Sequence, residues 1–128
     1  MRYLLLIYGD ETEMKTWPED ELGRCVGEAL QYDEVLKQNG QFIVAHGLEW
    51  PSQATVLRKK SGKLVSTDGP FAETKEQLLG FYLVDCENLD EVIDFAKRMK
   101  EGESCTFEIR PIRIFEKGVL PEEVKVAT

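Results

Sequence analysis

The fold of this chain is decided by the stretch Asp68-Gly69-Pro70-Phe71-Ala72-Glu73-Thr74-Lys75-Glu76. It follows a predicted strand and is typical of a turn that leads into a short helix. We expect the Asp68 side chain to bond the backbone two residues on, Gly69 to accept a positive φ, and Pro70 to take the first helical position. Phe71 then places a large ring beside charged residues at the end of the strand.

Size and charge limit what surrounds this stretch. The chain has 128 residues with 42% hydrophobic content, which fits one domain with a real core. Its formal net charge is −8 and its pI is about 4.7. Such a surface repels phosphate groups, so neither nucleic acid nor an anionic membrane is an expected partner.

The cysteines and the apolar runs predict a compartment. Cys25, Cys86 and Cys105 are dispersed and form no CxxC pair, which is typical of reduced thiols in a cytoplasm. The run Tyr3–Tyr8 is too short for the core of a signal peptide. No apolar run has the length of a transmembrane helix. We therefore expect a cytoplasmic protein.

The order of elements outside the motif is strand–helix–strand, hairpin, strand–helix–strand. The predicted strands are Tyr3–Tyr8, Gln41–Gly47, Leu79–Asp85 and Ser104–Phe115, the predicted helices run from Thr16 to Gln38 and from Leu89 to Met99, and the predicted hairpin strands are Ala54–Lys60 and Lys63–Thr67. Gly9–Lys15 is expected to be a polar loop. This is an α+β, ferredoxin-like pattern with an inserted β-hairpin and an antiparallel sheet.

Local signals fix the ends of these elements. Thr16 and Glu19 have the spacing of a capping box, as do Asn88 and Glu91. Asn39-Gly40 is a helix C-terminal signal. Pro111 interrupts the last strand where its apolar phase changes, which predicts a bulge or bend.

The strands themselves predict a dimer. Tyr3–Tyr8, residues 42–45 and residues 81–84 are apolar on both faces, whereas two long helices on one side cover a single face. The simplest way to remove the second face of the sheet from water is to pack it against the same face of a second copy of the chain.

The first long helix carries one polar residue within its apolar stripe. Asp33 falls near the middle of the face formed by Leu22, Val26, Ala29 and Leu36. Two interpretations are open: a buried carboxylate with a function, or a carboxylate that reaches a backbone amide or the helix rim. The sequence favours the second.

The motif and several further stretches resemble the DGPF branch of the YCII-related proteins. The further stretches are Ala45-His46-Gly47-Leu48-Glu49, Ala54-Thr55-Val56-Leu57-Arg58, Gln77-Leu78-Leu79-Gly80-Phe81-Tyr82 and Glu108-Ile109-Arg110-Pro111-Ile112. The resemblance implies a dimeric α+β barrel. It places the domain at residues 1–116, followed by a charged C-terminal tail at 117–128.

His46 and Asp68 are the candidate catalytic residues. His46 is the only histidine and ends a strand in phase with Phe42 and Val44, while Asp68 ends another strand. If the two strand ends share an edge, the carboxylate would orient the imidazole and leave its other nitrogen to act as general acid or base. The resemblance implies the same pair as a suspected active site, and one branch of the family is a dehydrochlorinase of a chlorinated hydroxyquinol. The alternatives are that Asp68 only caps the turn and that His46 only donates to a backbone carbonyl.

Arg58 is the candidate substrate-binding residue. Its planar guanidinium suits a carboxylate or enolate oxygen, and the alternative is an exposed hairpin cation paired with a glutamate. One histidine and scattered cysteines predict no metal site, and no glycine-rich fingerprint predicts a nucleotide cofactor, so we expect no cofactor.

Three function classes follow. The first is a cofactor-independent acid/base enzyme of lyase, isomerase or dehalogenase type that acts on a small molecule. The second is a ligand-binding or regulatory module, since the resemblance implies association of some relatives with extracytoplasmic-function sigma factors. The third is a structural homodimer with a vestigial pocket.

Overall fold

A four-stranded antiparallel sheet forms the centre of the protein. The computed structural model of the chain describes residues 1–99 and 104–113. In chain order its elements are β1 (Arg2–Gly9), α1 (Glu11–Met14), α2 (Glu19–Gln38), β2 (Phe42–Gly47), a 3₁₀ turn (Pro51–Gln53), β3 (Thr55–Lys60), β4 (Lys63–Asp68), β5 (Gln77–Asp85), α3 (Leu89–Arg98) and β6 (Thr106–Pro111). The strand order is β2-β5-β1-β6, and β3 pairs with β4 in a separate hairpin.

This topology confirms the predicted ferredoxin-like fold with an inserted hairpin. The units β1-α2-β2 and β5-α3-β6 are interleaved so that β5 and β1 are central, and each neighbouring pair is antiparallel. The hairpin turns at Ser61 and Gly62, with φ of 50° and 81°. Two consecutive positive φ values match the twist of a tight hairpin.

The core lies between one face of the sheet and the two long helices. Its buried residues are Tyr3, Leu5, Leu36, Tyr82, Val84, Cys86, Val92, Phe95, Ala96 and Met99. Leu5, Val84 and Val92 are fully buried, and each such side chain contributes about 1.5–3 kcal/mol through removal from water. The central strands are therefore fixed against α3 and the last part of α2.

The helix ends agree in part with the sequence signals. The Asn88 side chain accepts from the backbone N–H of Glu91 at 3.0 Å, so the predicted cap of α3 is confirmed. Gly40, with φ of +71°, follows the end of α2 as predicted. The capping box at Thr16 is wrong, because the Thr16 hydroxyl instead donates to the Glu13 carbonyl at 2.6 Å and α2 begins after Pro18.

The segment Gly9–Lys15 is not a loop. Residues 11–14 form the single turn α1, whose first backbone N–H groups at Thr12 and Glu13 donate to the Asp10 carboxylate. Asp10 with Glu13 has the capping spacing. The signal was therefore present in the sequence, in a run short enough to be taken for a loop.

The motif loop differs from its prediction in two respects. No helix follows Pro70, and residues 69–76 are irregular. Asp68 makes no bond to the backbone two residues on, because that residue is Pro70, which has no N–H. The positive φ of Gly69 is confirmed at +102°, and its N–H donates to the Ala54 carbonyl at 2.7 Å.

The last strand is shorter than predicted and ends at Pro111. Its register with β1 is unbroken, so the predicted bulge at Pro111 is wrong. The change of phase is present, since Phe107, Ile109 and Ile112 are half-buried. Residues 114–128, with the end of the predicted strand and the tail, lie outside the described residues.

Glu11 connects α1 to the segment that follows β2. Its carboxylate accepts from the Ser52 backbone N–H at 3.0 Å and hydroxyl at 2.8 Å and pairs with Lys15 at 2.7 Å. The Lys15 ammonium lies 5.6 Å from the centroid of the Trp50 ring. The bond from Lys15, followed by those from Ser52, lowers the pKa of Glu11 from 4.5 to about 2.

We expect Glu11→Gln to weaken the acid sensitivity of the fold. A lowered carboxyl pKa stabilises the folded state above the unfolded value of 4.5, and this stabilisation is lost as the pH falls towards about 2. The variant should be less stable than the wild type at neutral pH and should lose less stability across that window. Urea denaturation at several pH values measures this. Glu13→Gln is the control, because Glu13 makes no side-chain bond within the described residues, and an unchanged acid profile in Glu11→Gln would contradict the assignment.

We expect Gly80→Ala to destabilise the contact between β2 and β5. A Cβ at Gly80 would lie 3.0 Å from the backbone oxygen of His46, which strand pairing holds in place. Overpacking of this kind costs about 1–3 kcal/mol. Gly47, its partner across the strands, has nothing within 4 Å of such a Cβ and provides the matched control. Equal urea midpoints for Gly80→Ala and Gly47→Ala would contradict this prediction.

Candidate functional site

His46 lies near the end of β2, on the face of the sheet opposite the helices. Its strand partner is Phe81, whereas Ala45 pairs with the buried Tyr82 on the helix side. An irregularity between Phe42 and Val44 shifts the register of β2 against β5. His46 therefore shares its face with Val44, as predicted. The prediction that it also shares its face with Phe42 is wrong.

The imidazole of His46 is exposed and makes no side-chain hydrogen bond within the described residues. Its nearest aromatic neighbour is Phe81, at 6.0 Å between ring centroids and an interplanar angle of 64°. The alternative in which His46 donates to a backbone carbonyl is therefore not observed. Both ring nitrogens are available to a ligand.

Asp68 is not joined to His46 within the described part of the subunit. It lies at the end of β4, opposite Thr55, and is exposed. Neither a hydrogen bond nor an ion pair within 4.0 Å connects its carboxylate to the imidazole. The predicted catalytic roles of the two residues remain predictions.

Arg58 holds the motif loop against the hairpin. Its guanidinium donates to the Phe71 carbonyl at 2.8 Å and lies 4.6 Å from the centroid of the Phe71 ring. The predicted glutamate partner is not observed within the described residues. Substrate binding by Arg58 remains a prediction, and Phe71 itself is 72% exposed.

A cavity of about 370 Å³ lies between α2 and the helix-facing side of the sheet. Apolar residues form most of its lining, with Val26, Ala29 and Leu30 on α2 and Ile7, Ala45 and Leu79 on the sheet. Asp33 is also among its lining residues, and so is His46, although the His46 side chain lies on the opposite face of the sheet. Apolar concavities with a few polar groups are the usual form of small-molecule sites.

The cavity exists because only the second half of α2 is anchored. Leu36 alone among the α2 residues is buried, and the Tyr32 ring packs edge-on against Phe95 at 6.2 Å. Its hydroxyl also donates to the Arg98 carbonyl. Towards the start of the helix, Val26 and Leu30 remain 62% exposed, so this half of α2 does not close onto the sheet.

Asp33 is the residue that the sequence reasoning set aside. Its Oδ1 is buried without a hydrogen-bond partner, and the residue lines the cavity. The favoured interpretation was a carboxylate that reaches a backbone amide or the helix rim; for this oxygen no bond to an amide is observed, and the residue as a whole is half-buried. The signal was its place in the middle of an apolar helical stripe.

Cys86 has the properties of a core residue. Burial, followed by the influence of Glu91, raises the pKa of its thiol to about 11. A thiol that stays protonated is a poor nucleophile. Cys86 is therefore a packing residue of the core rather than a candidate nucleophile.

Residues 1–99 and 104–113 offer neither a metal cluster nor a membrane-spanning helix. They contain no group of three or more His, Cys, Asp or Glu residues that could hold a metal ion. No helix in these ranges has the length and apolarity needed to cross a membrane.

Comparison with known proteins identifies the family. An uncharacterized protein of Rhizobium meliloti (strain 1021) is 37% identical over 123 residues, which cover 94% of this chain and 99% of the relative. The family model of the YCII-related domain matches residues 1–116. The resemblance carried by the DGPF motif is thereby confirmed, and the chain belongs to the YCII-related domain family.

Proposed function

We propose that this protein is a cofactor-independent acid/base enzyme for a small molecule, with His46 as the proton-transferring residue. The observation that supports this most is the state of the His46 imidazole, which is exposed on the open face of the sheet and makes no hydrogen bond within the described residues. A histidine used for packing or for structural hydrogen bonding would be buried or bonded.

The chemistry follows from the imidazole. A neutral ring has one nitrogen that accepts a proton and one that donates, so it can move a proton between two atoms of a bound molecule. Lyase, isomerase and dehalogenase reactions require such a step. Asp68 enters the proposal as the orienting acid when a second copy or a movement of the hairpin brings it to His46, because no hydrogen bond joins the two within one subunit.

We also propose that the enzyme is a homodimer that pairs through the sheet face carrying His46. The core lies on the other face, against α2 and α3. The open face carries five half-buried apolar side chains, Leu4, Leu6, Val44, Phe81 and Leu83. A two-fold axis through this face would place sheet on sheet and remove these side chains from water.

Replacement of His46 tests the acid/base role. Chloride release from a chlorinated hydroxyquinol and hydrogen–deuterium exchange of small cyclic ketones and lactones, followed by NMR in D₂O, are suitable assays. We expect His46→Gln to lower the rate of a reaction found in this panel by about 10²–10⁴-fold. The melting temperature should change little, because the side chain is exposed.

The same assays on Asp68→Asn distinguish the role of Asp68 from that of His46. A similar loss of rate would support a joint catalytic role for His46 and Asp68. An unchanged rate would mean that Asp68 has no catalytic role and that His46 acts without it. Full activity of His46→Gln would contradict the proposal. Unfolding of that variant would make His46 a structural residue.

Replacement of Leu6 tests the dimer. Leu6 lies on the open face between Phe81 and Glu108, so a carboxylate there would be buried in a sheet-on-sheet interface. We expect wild-type protein to sediment as a dimer and Leu6→Glu as a monomer in analytical ultracentrifugation. Leu89→Glu is the control, because Leu89 is exposed on α3 on the opposite side. A monomeric wild type would contradict the proposal.

A further inference from the structure

We infer that the cavity beneath α2 binds a small, mainly apolar molecule that carries a protonated amine, and that Asp33 is the residue that pairs with this amine. The inference goes beyond the proposed function, since the cavity lies on the helix side of the sheet and the His46 imidazole lies on the other face. It starts from the carboxylate rather than from His46.

The lining determines the body of the ligand. The cavity of about 370 Å³ is walled by aliphatic side chains of α2 and of the sheet, with Met14 of α1 and Cys105 beside them. Few groups in it can bond water or a polar ligand. A compact hydrocarbon ring or short branched chain fits such a wall, because each apolar area it covers is removed from water.

Asp33 determines which polar group the ligand carries. One of its carboxylate oxygens is buried and has no hydrogen-bond partner, which is costly because a buried carboxylate needs compensation from a donor or an opposite charge. The structure offers neither at Oδ1. An ammonium group supplies both at once, through a charge-assisted hydrogen bond.

The charges around the cavity exclude the opposite class of ligand. The described lining contains no lysine or arginine, and the whole chain carries a net charge of −8. Asp33 is the one charged side chain in that lining. A carboxylate or phosphate ligand would therefore meet like charge without a counterion.

The Asp33 site is separate from the His46 imidazole. Asp33 belongs to α2 and faces the helix side of the sheet, whereas the His46 side chain lies on the opposite face. A ligand held at Asp33 by its ammonium group has its remaining atoms against the helix side of the sheet. Its binding therefore does not require His46.

Three probes of the same ring test the inference with the full chain: cyclohexylamine, cyclohexanol and cyclohexanecarboxylate. Titrations at pH 7, followed by ¹H–¹⁵N NMR, give their dissociation constants. We expect cyclohexylamine to bind about tenfold or more tightly than cyclohexanol, the effect of one charge-assisted hydrogen bond. The carboxylate should bind most weakly, and shifts should concentrate at Ala29, Leu30 and Ala45.

Asp33→Asn keeps the size of the side chain and removes its charge, and it should abolish the preference for the amine. Asp20→Asn, an exposed acid on the same helix, is the matched control and should retain the preference. Asp33 is half-buried and asparagine has nearly the same volume, so the variant should not destabilise the fold, and Asp33→Ser is a second variant if Asp33→Asn fails to fold. Equal binding of the three probes, a preference that survives in Asp33→Asn, or no saturable binding would overturn the inference.

His46→Gln distinguishes this inference from the proposed function. The variant should retain the amine preference even where it loses turnover. Loss of turnover without any amine preference in the wild type would leave the acid/base proposal standing and overturn the ligand class. An amine preference that depends on Asp33, with turnover unaffected by His46→Gln, would support the ligand class and overturn the acid/base proposal.

Discussion

The structure depends on a sheet whose two faces are both apolar, while the two long helices among residues 1–99 and 104–113 cover only one of them. The central strands β1 and β5 direct Tyr3, Leu5, Tyr82 and Val84 into the core against the helices. The alternate residues of the same strands are also large and apolar, with Leu6 opposite Phe81. The strand period of two makes this unavoidable once a strand is apolar throughout. The proposed dimer follows from that constraint, since a second sheet is the cover that needs no further element.

The same constraint bears on the helix side. The burial of α2 is confined to its last part, where Leu36 and Tyr32 meet the sheet and α3. Earlier in the helix, Val26 and Leu30 line the cavity but stay exposed, so the two layers do not fill the space between them. A helix that is packed at one end and not at the other leaves a cavity at the end that is not packed. The position of the cavity is therefore a consequence of where the packing of α2 against the core stops.

The sequence predicted the elements whose signals are local and strong. The hairpin at Ser61-Gly62, the cap at Asn88 and the helix end at Gly40 depend on neighbouring residues and agree with the structure. The misses depend on contacts that are distant or on a shift of register. The bulge between Phe42 and Val44 has no composition signal, yet it moves His46 to the face opposite Phe42. Whether Asp68 reaches His46 depends on how the hairpin lies against a sheet or a second copy, which periodicity cannot determine.

Asp33 shows why the candidate site was harder to predict than the fold. A carboxylate in an apolar stripe contradicts the helical pattern, and such a conflict is more often resolved by a nearby backbone donor than by a ligand. Only the packing of α2 decides between the two, because a helix that closed onto the sheet would have forced the side chain to the rim. Here the open first half of the helix leaves the oxygen buried at a cavity and without a donor. Residues that break a local rule without local compensation are expected at functional sites. In this protein the unpaired carboxylate and the incomplete helix packing occur at one cavity, which makes a ligand a simpler explanation than two separate defects.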